Sequence, residues 1–402
     1  MRSRLPTLLC GLLLGAAATL VVPAGAQAAT GAHLARWSTD AQFNTGSRSH
    51  VIASGGALRL SGALGATTWD DPYTAGGAVA YQYGQWRSPW VTPGFGVKTL
   101  VPSWNAVTPS GTWVRVEIRV RRGSTVGSFD TLGHWASGTS TIHRSSSTTQ
   151  ADDLASVSVD TLRSRDGAFD AWQIQVTLLR KKGSTASPVV ASVSGIAAAY
   201  ATKTLSSTSA TTMTTTKVLN VPTYSQMIHR DEFTQYAGGG EAWCSPTTTS
   251  MLLRYRGSGP TSGEYAFASH YRDPWVDHAA VNSYDYRYTS TGNWSFTMAY
   301  AGRYADAYVT RVGSLRDAEA FIRAGIPLGA AIAFGSGQLT GAPLNSTSGH
   351  IVAVVGFTSG GDVVVNDPAA SSDSSVRRTY RRGQFERAWL GHSGGIAYVV
   401  RP

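Results

Sequence analysis

Apolar and polar residues alternate along much of the first half of the chain. Residues 112–122 (TWVRVEIRVRR) show this alternation, and the apolar members are Val114, Val116, Ile118 and Val120. Residues 170–179 (DAWQIQVTLL) repeat it, with the apolar members Trp172, Ile174, Val176 and Leu178. A strict period of two is typical of antiparallel strands that bury one face. Because breaks rich in glycine and proline separate these runs, we predict an all-β sandwich or jelly roll over residues 30–200.

A different pattern runs through the second half. Residues 245–257 (SPTTTSMLLRYRG) predict a helix, because Ser245 offers a polar cap and a proline follows in the first turn. Residues 314–325 (SLRDAEAFIRAG) predict a second helix that ends at Gly325. Four apolar runs, PLGAAIAF, HIVAVVGF, DVVVNDP and GGIAYVV, follow as predicted strands. Helices followed by a small sheet predict an α+β domain over residues 219–402.

A polar tract, ATKTLSSTSATTMTTTK, separates the two patterns. Its serines and threonines offer almost no core-forming side chains, so we do not expect the tract to bury enough apolar surface to fold. This composition predicts a linker over residues 201–218. The chain length of 402 residues also suits two domains better than one.

The first residues have the pattern of a secretory signal. MRSR is positively charged, LPTLLCGLLLGAAATLVV is apolar, and Ala26 and Ala28 have the spacing that signal peptidases recognise. We therefore predict a signal peptide over residues 1–29, cleaved near Ala28, and a secreted, extracellular protein without a membrane span. The formal net charge of +10 favours anionic surroundings such as cell-wall polymers, and it suits solubility equally well.

Of the two cysteines, Cys10 would be lost with the signal peptide, and the other precedes a predicted helix. A helix N-terminus carries partial positive charge, which favours ionisation of the Cys244 thiol to the nucleophilic thiolate. Such a nucleophile needs a base and a group that orients the base, and His350 and Asp367 lie at the ends of consecutive strand-like runs.

The remaining requirement of this chemistry is a hydrogen-bond donor to the oxyanion that forms when a carbonyl group is attacked. Gln226, in VPTYSQ, precedes the cysteine in the chain, and Gln235 is a second candidate.

Four segments, VPTYSQ, WCSPTTTSMLL, SGHIVAVVGF and VVVNDPA, resemble in that order the cysteine peptidases of family thirty-nine. These are relatives of the bacteriocin-processing, double-glycine peptidases, and they have a papain-like fold. The resemblance covers residues 219–402 and implies four roles. They are Cys244 as nucleophile, His350 as general base and acid, Asp367 as orienting partner and Gln226 as oxyanion donor. Ser245 stands where the family often has glycine.

The expected activity is hydrolysis of peptide or isopeptide bonds through a thioester acyl-enzyme. Cleavage of cell-wall peptide amides is a close variant, and a surface-binding or glycan-binding protein with an inert papain-like domain is the alternative. Eight of the twelve tryptophans lie in the first half, where they suit either sugar stacking or core packing. We expect no cofactor, no nucleic-acid partner, and a monomer that acts on peptide, protein or cell-wall material.

Three other features admit simpler interpretations. GHSGG fits the serine-hydrolase motif, but too few residues follow Ser393 for the partners that motif needs, so we interpret it as a glycine-rich turn. No metal site is predicted, since the sequence has no H-E-x-x-H motif and no paired C-x-x-C, and the pairs His229/Asp231 and Asp277/His278 are too sparse to define a site. The aromatic segment 269–304 is expected either to wall the substrate cleft or to pack as a second small core.

Overall fold

The computed structural model describes residues 31–147, 150–151 and 153–401, so the predicted signal peptide and Cys10 lie outside the described residues. In the described part of the N-terminal region, strands are interrupted by one short helix, α1 (Asp40–Asn44). The strands are, in chain order, β1 (Ala32–Trp37), β2 (Ser47–Ser49), β3 (Val51–Ser54), β4 (Ala57–Leu60), β5 (Gly65–Trp69), β6 (Val79–Arg87), β7 (Thr99–Val107), β8 (Thr112–Arg122), β9 (Thr125–Val126), β10 (Asp130–Trp135), β11 (Ala155–Ser158), β12 (Thr161–Ser164), β13 (Ala171–Lys181) and β14 (Val189–Ala198).

Two antiparallel sheets build this region. One has the order β11-β12-β7-β14-β4-β3 with β1 beside β14, and the other has the order β10-β8-β13-β6-β2 with β5 and β9 at its sides. The alternation predicted for β8 is confirmed, because Val114, Val116 and Ile118 are fully buried. Leu100 of β7 belongs to the same apolar core, so side chains from both sheets meet there. The predicted all-β character of the N-terminal region is therefore confirmed.

Most tryptophans of the N-terminal region serve its core. The buried members are Trp37, Trp86, Trp104, Trp113, Trp135 and Trp172. Trp69 and Trp90 are partly exposed. The guanidinium groups of Arg119 and Arg121 both lie 5.1 Å from the Trp90 ring, within cation–π distance. Core packing therefore accounts for six of the eight tryptophans that the sequence offered as sugar-stacking candidates.

The C-terminal region combines helices with one antiparallel sheet. Its elements are β15 (Lys217–Val218), α2 (Cys244–Tyr255), α3 (Pro274–Ser283), α4 (Trp294–Ala301), β16 (Asp306–Arg311), α5 (Leu315–Arg323), β17 (Leu328–Phe334), β18 (Thr347–Phe357), β19 (Val363–Asn366), β20 (Arg377–Tyr380), α6 (Arg382–Ser393) and β21 (Ile396–Arg401). The sheet order is β16-β21-β17-β18-β19-β20, with β15 beside β18. The four predicted strand runs are β17, β18, β19 and β21, which confirms the α+β prediction. Among the described residues, no helix has the length and apolar composition that crossing a membrane requires.

The helix that carries the cysteine has its N-cap two residues earlier than predicted. α2 starts at Cys244, and Trp243 occupies the cap position without a capping side-chain hydrogen bond. The prediction that Ser245 is the cap is therefore wrong. Its hydroxyl lies 2.9 Å from the Tyr398 hydroxyl and 3.0 Å from the Thr297 hydroxyl, because a buried polar group must find partners. Ser245 thereby joins the start of α2 to β21 and α4.

The Ser/Thr-rich tract connects the two regions and most of its residues are exposed, but several of its polar groups are hydrogen-bonded to the C-terminal region. The hydroxyl groups of Thr211 and Thr212 donate to the Glu319 carboxylate at 2.7 and 2.5 Å. The backbone N–H and the hydroxyl group of Ser209 donate to the Glu386 carboxylate at 2.7 and 2.6 Å. The tract packs because its many hydroxyl groups satisfy buried carboxylates on α5 and α6. The domain boundaries themselves stay a prediction.

We expect Glu319→Ala to lower the free energy of unfolding by about 3–5 kcal/mol, because the substitution leaves a buried guanidinium without its counter-ion. The Glu319 side chain is fully buried, and its carboxylate accepts a 2.6 Å hydrogen bond from Arg382. Denaturant unfolding measures the loss, and limited proteolysis should cut within residues 201–217 only in the variant. Glu241→Ala, which removes an exposed ion pair with Arg230, is the control and should cost less than about 1 kcal/mol. Equal effects of the two substitutions would contradict the packed tract.

The N-terminal and C-terminal regions share one apolar core. Phe296 of α4 packs edge to face against Trp104 of β7 and Trp135 of β10, with ring centroids 6.0 and 5.4 Å away. Arg36 of β1 forms an ion pair with Asp306 of β16. The buried residues therefore run without a break from the β-sheets through α4 to the C-terminal sheet.

Candidate active site

Cys244 lies at the start of α2, on the wall of a cleft of about 730 Å³. It is a free cysteine and is partly exposed. The first N–H groups of a helix have no partner within the helix, so they place partial positive charge beside the sulfur atom. The thiol therefore occupies the position that its sequence context predicts, in contact with a space that a substrate can enter.

Neighbouring strands bring His350 and Asp367 together. β18 and β19 are antiparallel, and Ala353 pairs with Asn366, so the start of one strand lies beside the end of the other. The Nε2 atom of His350 is 2.7 Å from Oδ1 of Asp367. The imidazole also interacts electrostatically with the Cys244 thiol, since each group shifts the pKa of the other. Because Nε2 is hydrogen-bonded to the carboxylate, Nδ1 is the nitrogen that remains available to the sulfur.

The Asp367 carboxylate is held by more than the histidine. The Tyr380 hydroxyl donates to Oδ2 at 2.7 Å, and the backbone N–H of Ala369 donates to Oδ1 at 3.1 Å. Asp367 is 1% exposed, so these donors replace the water that would otherwise solvate its charge. They fix the orientation of the carboxylate, and through it the orientation of the His350 ring.

The electrostatics of the three side chains favour a thiolate and an imidazolium. Burial opposes ionisation of His350, but the Asp367 carboxylate and the Cys244 sulfur together raise the pKa of the imidazole to about 10. Burial alone would raise the pKa of the Cys244 thiol, yet the hydrogen bond and charge of His350 lower it below its ordinary value. Burial likewise opposes the charge of Asp367, and the imidazolium overrides it and lowers the pKa of that carboxyl group.

Gln226 lines the same cleft, whereas Gln235 is exposed and is not among the residues that line it. The backbone N–H of Gln226 donates to the Pro368 carbonyl at 2.8 Å, next to the aspartate. Its side-chain Nε2 donates to the Glu241 carbonyl at 2.6 Å. A Cβ atom on Gly240 would lie 2.2 Å from the Gln226 carbonyl oxygen, so this approach requires the glycine. The structure thus brings Gln226 to the cleft with its amide turned toward Glu241.

The aromatic segment 269–304 has both of the roles that the sequence left open. Tyr288 and Trp294 line the cleft. Val276 of α3 packs with Trp243 in a small separate apolar cluster. The segment therefore packs against Trp243, the residue before the cysteine, and also forms part of the cleft wall.

The GHSGG sequence forms the end of α6 and the turn before β21. Ser393 is the last residue of the helix, and Gly394 follows in the left-handed conformation. The Ser393 hydroxyl donates to the carbonyl groups of Ala331 and Trp389 at 2.8 and 3.1 Å. This geometry fits the predicted turn, with the hydroxyl committed to the backbone.

Three residues could together hold a metal ion, and the sequence pairs do not reveal them. His229 Nδ1 lies 2.6 Å from Oε2 of Glu232 and 3.5 Å from Oδ2 of Asp277. Burial raises the pKa of both carboxyl groups to about 7. None of the three residues is among those that line the cleft. The 2.6 Å separation is that of a charge-assisted hydrogen bond between His229 and Glu232, whereas both carboxylate oxygens of Asp277 are buried without a hydrogen-bond partner among the described residues.

Two segments of the chain match known protein-family models. Residues 218–396 match the model described as Peptidase_C39 like family, and residues 33–198 match that of the Peptidase C39 N-terminal domain. No curated protein matches the chain. Among solved structures, TmCBM61 in complex with β-1,4-galactotriose is similar at 8% identity over 42% of this chain and 83% of that chain, with a TM-score of 0.16, too low to carry an argument. The family matches confirm that the C-terminal half of this chain is similar to the cysteine peptidases of family thirty-nine, as its motifs predict.

Proposed function

We propose that this protein is a secreted cysteine hydrolase that cleaves peptide or isopeptide bonds. The observation that carries the proposal is that Cys244 and His350 line one open cleft and that Asp367 is hydrogen-bonded to His350. The family match over residues 218–396 supports the same reaction class. A cysteine at the start of a helix that packs on a sheet carrying the histidine also supports a papain-like arrangement. The signal-like N-terminal sequence supports secretion.

The geometry supports a two-step acyl transfer. The Cys244 thiolate attacks the carbonyl carbon, a carbon–sulfur bond forms, and the carbonyl electron pair moves to the oxygen. The His350 imidazolium then gives its Nδ1 proton to the leaving amine as the carbon–nitrogen bond breaks, which leaves a thioester. Water attacks that thioester while the neutral imidazole takes the proton of the water, and the thiolate is released with the acid product.

Two groups are positioned to stabilise the oxyanion. The free N–H groups at the start of α2 lie beside Cys244, and they are the donors that a developing negative charge requires. The Gln226 amide can join them only if its Nε2 turns away from the Glu241 carbonyl, to which it now donates. We propose Gln226 as the second donor, with this rotation occurring when substrate enters.

Asp367 acts as the positioning residue of this series. Its carboxylate holds the Nε2 proton of His350, so the opposite nitrogen remains available to the sulfur, and its charge compensates the imidazolium. Tyr380 in turn holds the carboxylate. The expected substrates are peptides or proteins, with cell-wall peptide amides as the close variant.

A substrate screen with a covalent readout tests the proposed function. The full chain is incubated with peptide libraries, isopeptide-linked peptides and peptidoglycan, and products are detected by mass spectrometry. We expect release of an amine product and, after rapid acid quenching, an acyl group attached through Cys244. Absence of amide hydrolysis across all three substrate classes, in a protein whose thiol is alkylated readily, would overturn the proposal.

A further inference from the structure

The N-terminal β-region contributes a hairpin to the cleft that contains Cys244. β11 and β12 pair so that Ser158 is opposite Thr161, which leaves Val159 and Asp160 as a two-residue turn. All four of these residues line the cleft. The wall opposite the peptidase region therefore comes from a separate part of the chain.

The turn of this hairpin has an unfavourable backbone. Val159 has a φ of 58°, a left-handed conformation that β-branched residues rarely adopt. Two-residue hairpin turns with a positive φ at the first position usually have glycine there. Such a conformation persists only where the surrounding structure holds it, and it occurs preferentially at ligand-binding sites.

Asp160 fixes the hairpin to the peptidase region. Its Oδ2 accepts a 2.5 Å hydrogen bond from the backbone N–H of Trp294, the first residue of α4. Its Oδ1 accepts a 3.0 Å hydrogen bond from the Thr161 hydroxyl. Asp160 is 6% exposed, and a carboxylate at a helix N-terminus is in favourable electrostatic contact. The hairpin is thus a fixed part of the cleft wall.

Arg163 brings a positive charge into this wall. It lies two residues after Thr161, on the same face of β12, and its side chain is exposed and lines the cleft. Within the described residues no carboxylate pairs with it. The two acidic residues that line the cleft have other partners, since Asp160 accepts from Trp294 and Glu241 pairs with an arginine outside the cleft.

A second guanidinium, which is buried, lies near Arg163. The charge of Arg163 acts on the buried Arg311, which donates to the Thr99 hydroxyl at 3.3 Å on the strand beside β12.

We propose that Arg163 binds a carboxylate group of the substrate and thereby makes the N-terminal region a determinant of specificity. The proposal rests on the proposed function, because it assigns a substrate class to that same cleft. A guanidinium binds a carboxylate through two parallel hydrogen bonds, which favours this ligand over neutral groups.

A pair of small alkylating reagents tests this charge without knowledge of the substrate. Iodoacetate and iodoacetamide react with the same thiol and differ chiefly in charge, so the ratio of their rates at Cys244 reports the potential of the cleft. We expect Arg163→Glu to lower the iodoacetate-to-iodoacetamide ratio at least about fivefold, and Arg163→Gln to lower it less. The difference should shrink in 1 M salt, where charges are screened within about 3 Å.

Arg59→Glu is the matched control, because Arg59 is an exposed strand residue of the same region and does not line the cleft. It should leave the ratio at the parent value. A ratio that Arg163→Glu and Arg59→Glu change equally would overturn the inference while the proposed function stands. A Cys244 that neither reagent labels would overturn both.

Pairs of peptides show whether the carboxylate that Arg163 binds is the C-terminus of the substrate or an acidic side chain. Once a cleaved peptide is known, its free-acid and C-terminally amidated forms are compared, together with forms that carry glutamate or glutamine near the scissile bond. We expect the parent protein to prefer one acidic form about tenfold in kcat/KM, and Arg163→Gln to lose that preference. The preferred pair distinguishes a terminal carboxylate from an acidic side chain. Equal kcat/KM for acidic and neutral forms in the parent protein would overturn the inference.

Discussion

Cys244→Ser should lower kcat for amide hydrolysis by about 10⁴-fold or more while the fold is retained. Serine is nearly isosteric with cysteine, but its hydroxyl is far less ionised beside the same imidazole. The existing environment lowers the pKa of a thiol, and it cannot bring an alcohol into the range in which His350 would hold it as an alkoxide. Turnover is measured with the best substrate of the screen, and denaturant unfolding is measured on the same preparations.

Ser393→Ala is the control for this substitution, since it removes the hydroxyl of the competing GHSGG motif. The Ser393 hydroxyl is hydrogen-bonded to backbone groups, as donor to two carbonyl groups and as acceptor from the N–H of Ile396. We therefore expect activity within a few-fold of the parent and a stability loss of about 1 kcal/mol. The opposite pattern, with turnover kept in Cys244→Ser and lost in Ser393→Ala, would show that the cysteine is structural.

His350→Ala should reduce kcat by a similar factor, about 10⁴-fold, because the thiolate loses its counter-ion and the leaving amine loses its proton donor. The substitution also leaves the buried Asp367 without its ionic partner, which is expected to lower stability by about 3–5 kcal/mol. Activity is therefore expressed per folded molecule. His350→Gln retains more of the buried volume and should be inactive as well, which separates the loss of the imidazole from unfolding.

Asp367→Asn should have a smaller effect than the loss of the histidine. The asparagine can keep an oxygen toward His350 and turn its amide toward the Tyr380 hydroxyl, so the ring stays oriented while the compensating charge is lost. We expect kcat to fall by about 10-fold to 100-fold. A drop as large as that of His350→Ala would instead mean that the orientation of the ring depends on the carboxylate charge.

Local patterns predicted the parts of this structure that are built from neighbouring residues. Strict alternation identified β8 and β13, and the order of the apolar runs placed His350 and Asp367 at ends of strands that proved to be adjacent. Strand adjacency follows from short connections, which is why that pairing was accessible from the sequence. The N-cap of α2 was misplaced by two residues, because Ser245 has the chemistry of a cap and is instead bonded across the core.

Features that depend on contacts between distant segments could not be predicted from local sequence patterns. The Ser/Thr-rich tract has the composition of a linker, and only the folded chain reveals the buried Glu319 that its hydroxyl groups satisfy. Likewise, nothing in the local sequence around Arg163 connects it with Cys244, since β12 reaches the cleft through the packing of one region on the other. Gln226 and Gln235 were equal candidates by residue type, and their burial separates them.

The pH dependence of Cys244 alkylation by iodoacetamide tests the thiolate–imidazolium pair most directly. The lowered pKa of the Cys244 thiol predicts that the parent protein is labelled faster at pH 6 than an ordinary thiol, whose pKa is about 8.5. As the pH rises toward the pKa of about 10 of His350, the imidazolium deprotonates and the reactivity should change to that of a thiolate beside a neutral ring. In His350→Ala the reactivity at pH 6 should vanish, and the curve should move to that of an ordinary thiol. A curve that is the same with and without His350 would show that the two side chains do not interact, and the proposed catalytic role of Cys244 would fail with it.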